Sequence, residues 1–280
     1  MKLGFNLLLW TPHVTAAHEP ILRALKKTGY DGVEIPMFEG DPDHYARLGE
    51  MLDRIGLERT VVSVIQGKNP ISPDSASRAA ALDYAKWTID CSAALGAKIL
   101  GGPMHSELGA FSGAPATAAE RKRALSFHKK AGDYAGKKGV TFALEALNRF
   151  ECYFLNTMQQ LNDYLDEVNH PHVQGMYDTF HCNIEEKDPV GAIRTIRPHM
   201  VHVHISENDR GTPGKGHVPW AETYKALKKA KYDGWLTIEA FGRSMPALAA
   251  ATRVWRDFAP NPEEVYRLGF RNMSQGWATA

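Results

Sequence analysis

The sequence predicts an α/β fold, a (β/α)8 TIM barrel, on three observations. Apolar extended runs alternate with amphipathic segments from end to end of the 280 residues. The extended runs number eight, the count at which a parallel sheet closes on itself. Several amphipathic segments stop on glycine just before the next extended run, at Gly29, Gly56, Gly96 and Gly139. A glycine there can turn the chain out of a helix through the left-handed conformation.

The eight runs are LGFNLLLW (3–10), GVEI (32–35), RTVVSVI (59–65), AKILGG (97–102), VTFALEA (140–146), VQGMYD (173–178), MVHVHIS (200–206) and WLTIEA (235–240). Between them lie PILRALKKTG, DHYARLGEMLDRIG, RAAALDYAKWTIDCSAALG, ERKRALSFHKKAGDYAGKKG, MQQLNDYLDEV, DPVGAIRTI and AETYKALKKAK. Each repeats its apolar residues every three to four positions, as a helix covering a sheet does. An open doubly wound sheet is the competing arrangement. It would carry a glycine-rich GxGxxG after the first strand, where this chain reads LLLWTPHVT. GYDGVEI (29–35) and KYDGWLTIE (231–239) echo each other, as the units of a repetitive barrel can. ELGAFSGAPATAAE (107–120) and GTPGKGHVP (211–219) read as long loops over strand ends. No composition shift marks a boundary, so residues 1–280 are expected to form a single domain. From about residue 258 a helical extension carrying Arg267, Phe270 and Trp277 should pack on the barrel or on a neighbouring subunit.

Composition narrows the function. The 33 basic and 32 acidic side chains leave a charge of +1, which gives no field to gather nucleic acid or an anionic membrane. The expected partner is a small molecule. Cys91, Cys152 and Cys182 are odd in number and lack CxxC spacing, which fits reduced thiols in a cytoplasmic protein. The opening MKLGFNLLLWTPH reads as a buried strand, too short to span a membrane and without a small-residue cleavage site.

The chemistry gathers at strand ends. Glu145 closes the fifth run, Asp178 the sixth, His204 the seventh and Glu239 the eighth. Active sites of such barrels form where the carboxyl ends of the strands converge. A carboxylate ending a buried run needs a cation or hydrogen-bond donors. Three carboxylates and one imidazole make an oxygen-rich set that suits Mn²⁺, Co²⁺ or Mg²⁺ better than a structural zinc. Four such ligands leave about two positions of a six-coordinate ion for substrate oxygens. His202, two residues before His204, shares its strand face but lies deeper, as a core histidine.

Glu145 and Glu239, on the outer two of these four strands, can flank a bound molecule. That arrangement suits proton exchange at a carbon beside a carbonyl, with the metal stabilising the enediolate that develops. One glutamate removes the proton from one face and the other returns it to the opposite face, inverting the carbon. Glu151, His181 and Arg210 follow the first three ligands within six residues, on loops expected to overhang the mouth. An acceptor, a switchable donor and a fixed donor fork together suit a polyol. Trp10, Phe38 and Phe241 lie at or just past strand ends as candidates for an apolar wall.

The motifs EALNRFE, DTFHCNIEE, HISENDR and TIEAF, with GGPMHSE after the fourth run, resemble the D-tagatose 3-epimerase family. That family includes the D-psicose (D-allulose) 3-epimerases and belongs to the xylose-isomerase-like barrels. The likeness spans the second half of the chain in order; the first half agrees mainly in rhythm. The resemblance implies a metal-dependent epimerase acting at C3 of free ketoses of the D-tagatose, D-psicose, D-fructose or L-ribulose type. It implies one divalent metal per subunit and a homodimer or homotetramer. It assigns Glu145, Asp178, His204 and Glu239 to the metal, Glu145 and Glu239 also to the C3 proton, and Glu151, His181 and Arg210 to the sugar's first oxygens. The alternatives on the same barrel are an aldose–ketose or hydroxypyruvate isomerase and a sugar-phosphate epimerase. The last should show a phosphate grip, for which GTPGKGH is the one candidate.

Overall fold

In a computed structural model describing residues 1–280, eight parallel strands close into a barrel in sequence order. They are β1 (Lys2–Asn6), β2 (Gly32–Pro36), β3 (Glu58–Val62), β4 (Ile99–Gly102), β5 (Thr141–Leu144), β6 (Val173–Asp178), β7 (Met200–Ile205) and β8 (Trp235–Ile238). Closure is made by β1 on β8, with Lys2 opposite Trp235 and Phe5 opposite Ile238. This pairing excludes the open doubly wound sheet.

The covering helices are α1 (Glu19–Thr28), α2 (Pro42–Ile55), α3 (Ser75–Leu95), α4 (Ala118–Lys138), α5 (Met158–Val168), α6 (Thr179–Glu185), α7 (Pro189–Ile196), α8 (Trp220–Lys229), α9 (Pro246–Thr252) and α10 (Pro262–Thr279). Gly29, Gly56, Gly96 and Gly139 stop α1, α2, α3 and α4 with φ between 70° and 117°, the conformation expected of them. One apolar core runs between the sheet and the helices. The tail packs on its own barrel: Phe270 of α10 meets Tyr30 edge-on at 5.2 Å, and the Tyr30 hydroxyl donates to the Tyr266 carbonyl at 2.7 Å. No helix is long and apolar enough to cross a membrane.

Two local expectations change. The first strand stops at Asn6 rather than Trp10, and Leu7–Leu9 form a 3-10 turn. The cause is the Asn6 side chain, whose Oδ1 accepts the Leu8 amide at 2.8 Å and turns the chain. His181 sits on a helix, not on an overhanging loop. Asp178 ends β6 and caps α6 by accepting the amides of Phe180 at 2.6 Å and His181 at 3.2 Å.

Gly102 shows how the backbone serves the mouth. Its φ is +115°, and a Cβ there would fall 2.1 Å from the Ser63 carbonyl oxygen. Its own carbonyl accepts the Glu145 amide at 3.1 Å, so a shift at Gly102 reaches the β5 end directly. Gly102→Ala should therefore cost about 3 kcal/mol or more, read as a fall in urea midpoint. A midpoint within about 0.5 kcal/mol of the unmutated protein would contradict the close packing.

Candidate metal centre

Glu145, Asp178, His204 and Glu239 converge, with one donor atom from each lying within 4.8 Å of the others. His204 Nδ1 is the hub. It lies 3.5 Å from Asp178 Oδ2, 3.6 Å from Glu239 Oε1 and 3.7 Å from Glu145 Oε1. These are wider than hydrogen bonds, and both His204 Nδ1 and Glu145 Oε1 are buried with no hydrogen-bond partner. Buried polar atoms are almost always partnered. Two orphaned atoms within a converging donor set that is mostly oxygen are what a divalent cation would satisfy, so the residues fit the ion the sequence implies.

Backbone contacts hold each group in place. Glu145 is clamped on both sides, its amide on Gly102 and its carbonyl 2.9 Å from His105 Nε2. Burial drives the His105 pKa down to about 4, so the ring stays neutral in this role. The Glu239 amide donates to the Ile205 carbonyl at 3.2 Å.

The electrostatics divide the carboxylates. Burial raises the Glu145 pKa to about 8, with Asp178 and Glu239 adding to the rise and His204 opposing it. Asp178 is buried too, yet Arg210 and His181 outweigh that effect and hold it well below the ordinary carboxylate range. For His204, burial is overcome by Glu34 and Glu239, which raise its pKa well above the usual value.

Arg210, His181 and Glu151, the trio expected to face a sugar, also come together. Arg210, at φ +65° and only 5% exposed, is clasped between the Phe180 and Phe241 rings, 3.7 and 4.9 Å from their centroids. Its Nη1 donates to Glu239 Oε2 at 2.6 Å and Ser206 Oγ at 3.0 Å, and lies 3.4 Å from Asp178 Oδ2. His181 Nδ1 accepts the Asn148 amide at 3.0 Å, which leaves the ring proton on Nε2. The Asn148 carboxamide in turn donates to Glu151 Oε1 at 2.8 Å.

A cavity of about 590 Å³ opens over this cluster. Glu145, Glu239, Glu151, His181 and Arg210 all line it, whereas Asp178 and His204 lie beneath. Leu8, Phe38, Val62, Leu108, Phe241 and Leu248 supply much of the rest of the wall. Phe38 and Phe241 are thus in the apolar wall as expected. Trp10 is not: it packs on Phe5 at 5.1 Å and towards Tyr266 at 6.3 Å.

Sequence reasoning assigns no role to Glu34, Asn6, Asn148 and His105, though each sits in or beside one of the motifs or strands. Glu34 is fully buried on β2, and its Oε2 lies 2.7 Å from His204 Nε2. His202, fully buried as expected of a core histidine, lies with Nε2 2.9 Å from Glu34 Oε1. A signal for Glu34 exists, because GVEI puts a carboxylate inside a buried run. The GTPGKGH loop also resolves. Its amides at Gly214 and Val218 donate to the buried Glu207 carboxylate at 2.8 and 3.0 Å, and the Trp220 indole adds a third bond at 2.9 Å. Those donors are occupied by the chain itself. Cys91, Cys152 and Cys182 are buried and unpaired.

A closed barrel with an acid-rich metal-type site at the carboxyl ends of its strands is an enzyme architecture. The chain belongs to the xylose isomerase-like TIM barrel family, which matches residues 22–273, and its full-length relatives make it an enzyme of the isomerase class. It is 32% identical over 280 residues to a probable ketose 3-epimerase of Synechocystis sp., covering 100% of this chain and 98% of that one. It is 31% identical over 264 residues to a D-psicose 3-epimerase of Agrobacterium fabrum, covering 92% of this chain and 91% of the other. Among solved structures, D-allulose 3-epimerase from Methylomonas sp. in complex with D-allulose superposes with a TM-score of 0.91 at 28% identity, over 98% of this chain and 96% of that one.

The Glu145 carboxyl gives a pH prediction. Its folded pKa of about 8 exceeds the ordinary 4.5, so folding favours the protonated form between those values. The stability it contributes is complete below pH 4.5 and is lost as pH rises through 8. In EDTA-treated protein, Glu145→Gln cannot ionise and should gain on the unmutated chain in urea midpoint from about pH 5 to 9. Parallel curves for the two proteins would show that Glu145 is not held protonated.

Proposed function

We propose that the protein is a metal-dependent ketose 3-epimerase that inverts C3 of free ketoses, with Glu145 and Glu239 exchanging the proton. The observation that carries this reading is the division of the four converging residues. Only the two glutamates reach the wall of the cavity, while Asp178 and His204 lie beneath it. Glutamates with that access can act on a bound carbon as well as on an ion.

In this reading Glu145, Asp178, His204 and Glu239 hold one Mn²⁺, Co²⁺ or Mg²⁺. When bound, such an ion supplies electrophilic stabilisation for the negative charge that develops on the ketose carbonyl oxygen. Glu145 and Glu239 lie 3.7 and 3.6 Å from the His204 Nδ1 hub. One takes the C3 proton and the other delivers a proton to the opposite face. The buried Glu145 carboxyl, raised to about 8, can carry a proton near neutral pH.

His181 Nε2 and Arg210 Nη2 lie 3.0 Å apart, and both can donate to a sugar oxygen at the corner they share. Glu151 supplies an acceptor beside them. The apolar remainder of the cavity suits the carbon skeleton of the sugar, and its about 590 Å³ is ample for a monosaccharide. The sugar names of the relatives, D-psicose and D-allulose, support free ketoses as the substrate class. The occupied amides around Glu207 lend nothing to a phosphorylated substrate.

We also propose a cytoplasmic enzyme working as a homodimer or homotetramer. The three reduced cysteines support the first point, and Phe111, Phe150 and Trp255, more than half exposed, support the second.

A substrate comparison and two variants test the assignment. Mn²⁺-loaded protein should convert free D-fructose, D-tagatose or L-ribulose to its C3 epimer, and the corresponding phosphates poorly or not at all. Preference for the phosphates would overturn the substrate class. Glu239→Gln should lower kcat by about 10³-fold or more in a protein that still folds. His181→Ala should raise KM about tenfold while metal content stays near one ion per chain. Near-full activity in the first variant, or loss of the metal in the second, would contradict these roles.

A further inference from the structure

One fully buried charged group in the barrel lies outside the four residues just described. Glu34 comes from β2, across the barrel from the strands that carry Asp178 and His204, and is 0% exposed. Each of its oxygens is engaged. Oε2 takes the Asn6 carboxamide at 2.9 Å and His204 Nε2 at 2.7 Å. Oε1 takes the Thr60 hydroxyl at 2.9 Å and faces His202 Nε2 at 2.9 Å. The Asn6 carboxamide also reaches Glu239 Oε1 at 3.3 Å. One buried carboxylate is thereby tied to two of the four converging side chains, to His204 directly and to Glu239 through Asn6.

We propose that Glu34 is the positioning residue of the metal centre, holding His204 by Nε2 so that Nδ1 is presented to the ion. The inference rests on the reading that Glu145, Asp178, His204 and Glu239 hold a divalent metal. A carboxylate 2.7 Å from Nε2 keeps the proton on that nitrogen, so the proton that an incoming cation displaces is the one on Nδ1, the atom that faces the three acids. A ring on a strand can otherwise flip, which turns Cδ2–H towards the cation, or move its proton between nitrogens, which turns Nδ1–H towards it. Carboxylates behind metal-bound imidazoles fix tautomer and orientation in this way. Thr60 and Asn6 prevent Glu34 from turning aside, since both clamp it from neighbouring strands. Glu34, His202 and His204 also lie close enough together to suggest a second ion. The hydrogen bonds from Thr60, Asn6 and His204 already fill that carboxylate, so Glu34 acts behind the first site.

The test is Co²⁺ binding to metal-free protein, followed by calorimetry and by the visible absorption of the bound ion, with urea unfolding as the control for folding. Glu34→Gln keeps the shape and should fold, but it should weaken Co²⁺ binding about 10- to 100-fold and alter the cobalt spectrum. Thr60→Val, which removes one clamp at nearly constant volume, should weaken binding several-fold and decides the matter if the first variant does not fold. Unchanged affinity and spectrum in the folded variants would reduce Glu34 to core packing and overturn the proposal. Two cobalt ions per chain, with one lost in Glu34→Gln, would make Glu34 a ligand and overturn it equally. If the unmutated protein binds no Co²⁺ or Mn²⁺, it is the metal reading itself that fails, a result distinct from either of these.

Discussion

Everything at the mouth of this barrel follows from burying acids together. Glu34, Glu145, Asp178 and Glu239 lie within a few residues' reach of one imidazole, and none is more than 5% exposed. Like charges in a poorly solvated site repel strongly, and each also loses its hydration. The protein answers with distinct partners. His204 and His202 hold Glu34 ionised against the effect of burial, Arg210 leads the groups that do the same for Asp178, and Glu145 is left with a raised pKa. The clasping of Arg210 between Phe180 and Phe241 belongs to the same balance, because it fixes a cation that would otherwise seek water. A site whose charges are only partly compensated is one that a divalent cation can complete.

The fold arranges these groups in depth. Asp178 ends β6 opposite His204, the penultimate residue of β7, and both stay below the cavity floor. Glu145 and Glu239 fall one residue past β5 and β8, still bonded through their amides to β4 and β7, and line the cavity. Glu34 sits one layer lower, opposite Asn6 in the β1–β2 register. The residues proposed to hold, act and position are therefore separated by short steps along the strands. The mouth is closed by segments with other work: α6 carries His181, and the 208–218 loop is wound around the Glu207 carboxylate rather than open to an anion.

Much of this is legible in the sequence because strand ends carry a strong signal. An acid or imidazole terminating VTFAL, VQGMY, MVHV or WLTI stands out against an apolar background, and successive strands of a barrel bring such residues together by topology alone. Glu34 is harder to read. GVEI is short, its acid lies within the run, and its importance depends on the β1–β2 register with Asn6. Asn148 and His105 are hidden differently, since their value lies in backbone groups: the Asn148 amide and the Glu145 carbonyl. The α6 helix leaves little trace because its seven residues are too few for an amphipathic repeat, and its start depends on the Asp178 cap. Trp10 reads as a mouth residue only if the first strand runs on to it, and that strand ends at Asn6.

The proposed mechanism turns on two glutamates exchanging a proton at C3 of a ketose from opposite faces. Turnover of D-fructose by Mn²⁺-loaded enzyme in D₂O, with the label located by NMR, decides it. Deuterium at C3 of a C3-inverted product, and none elsewhere, is the expected result. Deuterium at C1, or formation of an aldose, would contradict it.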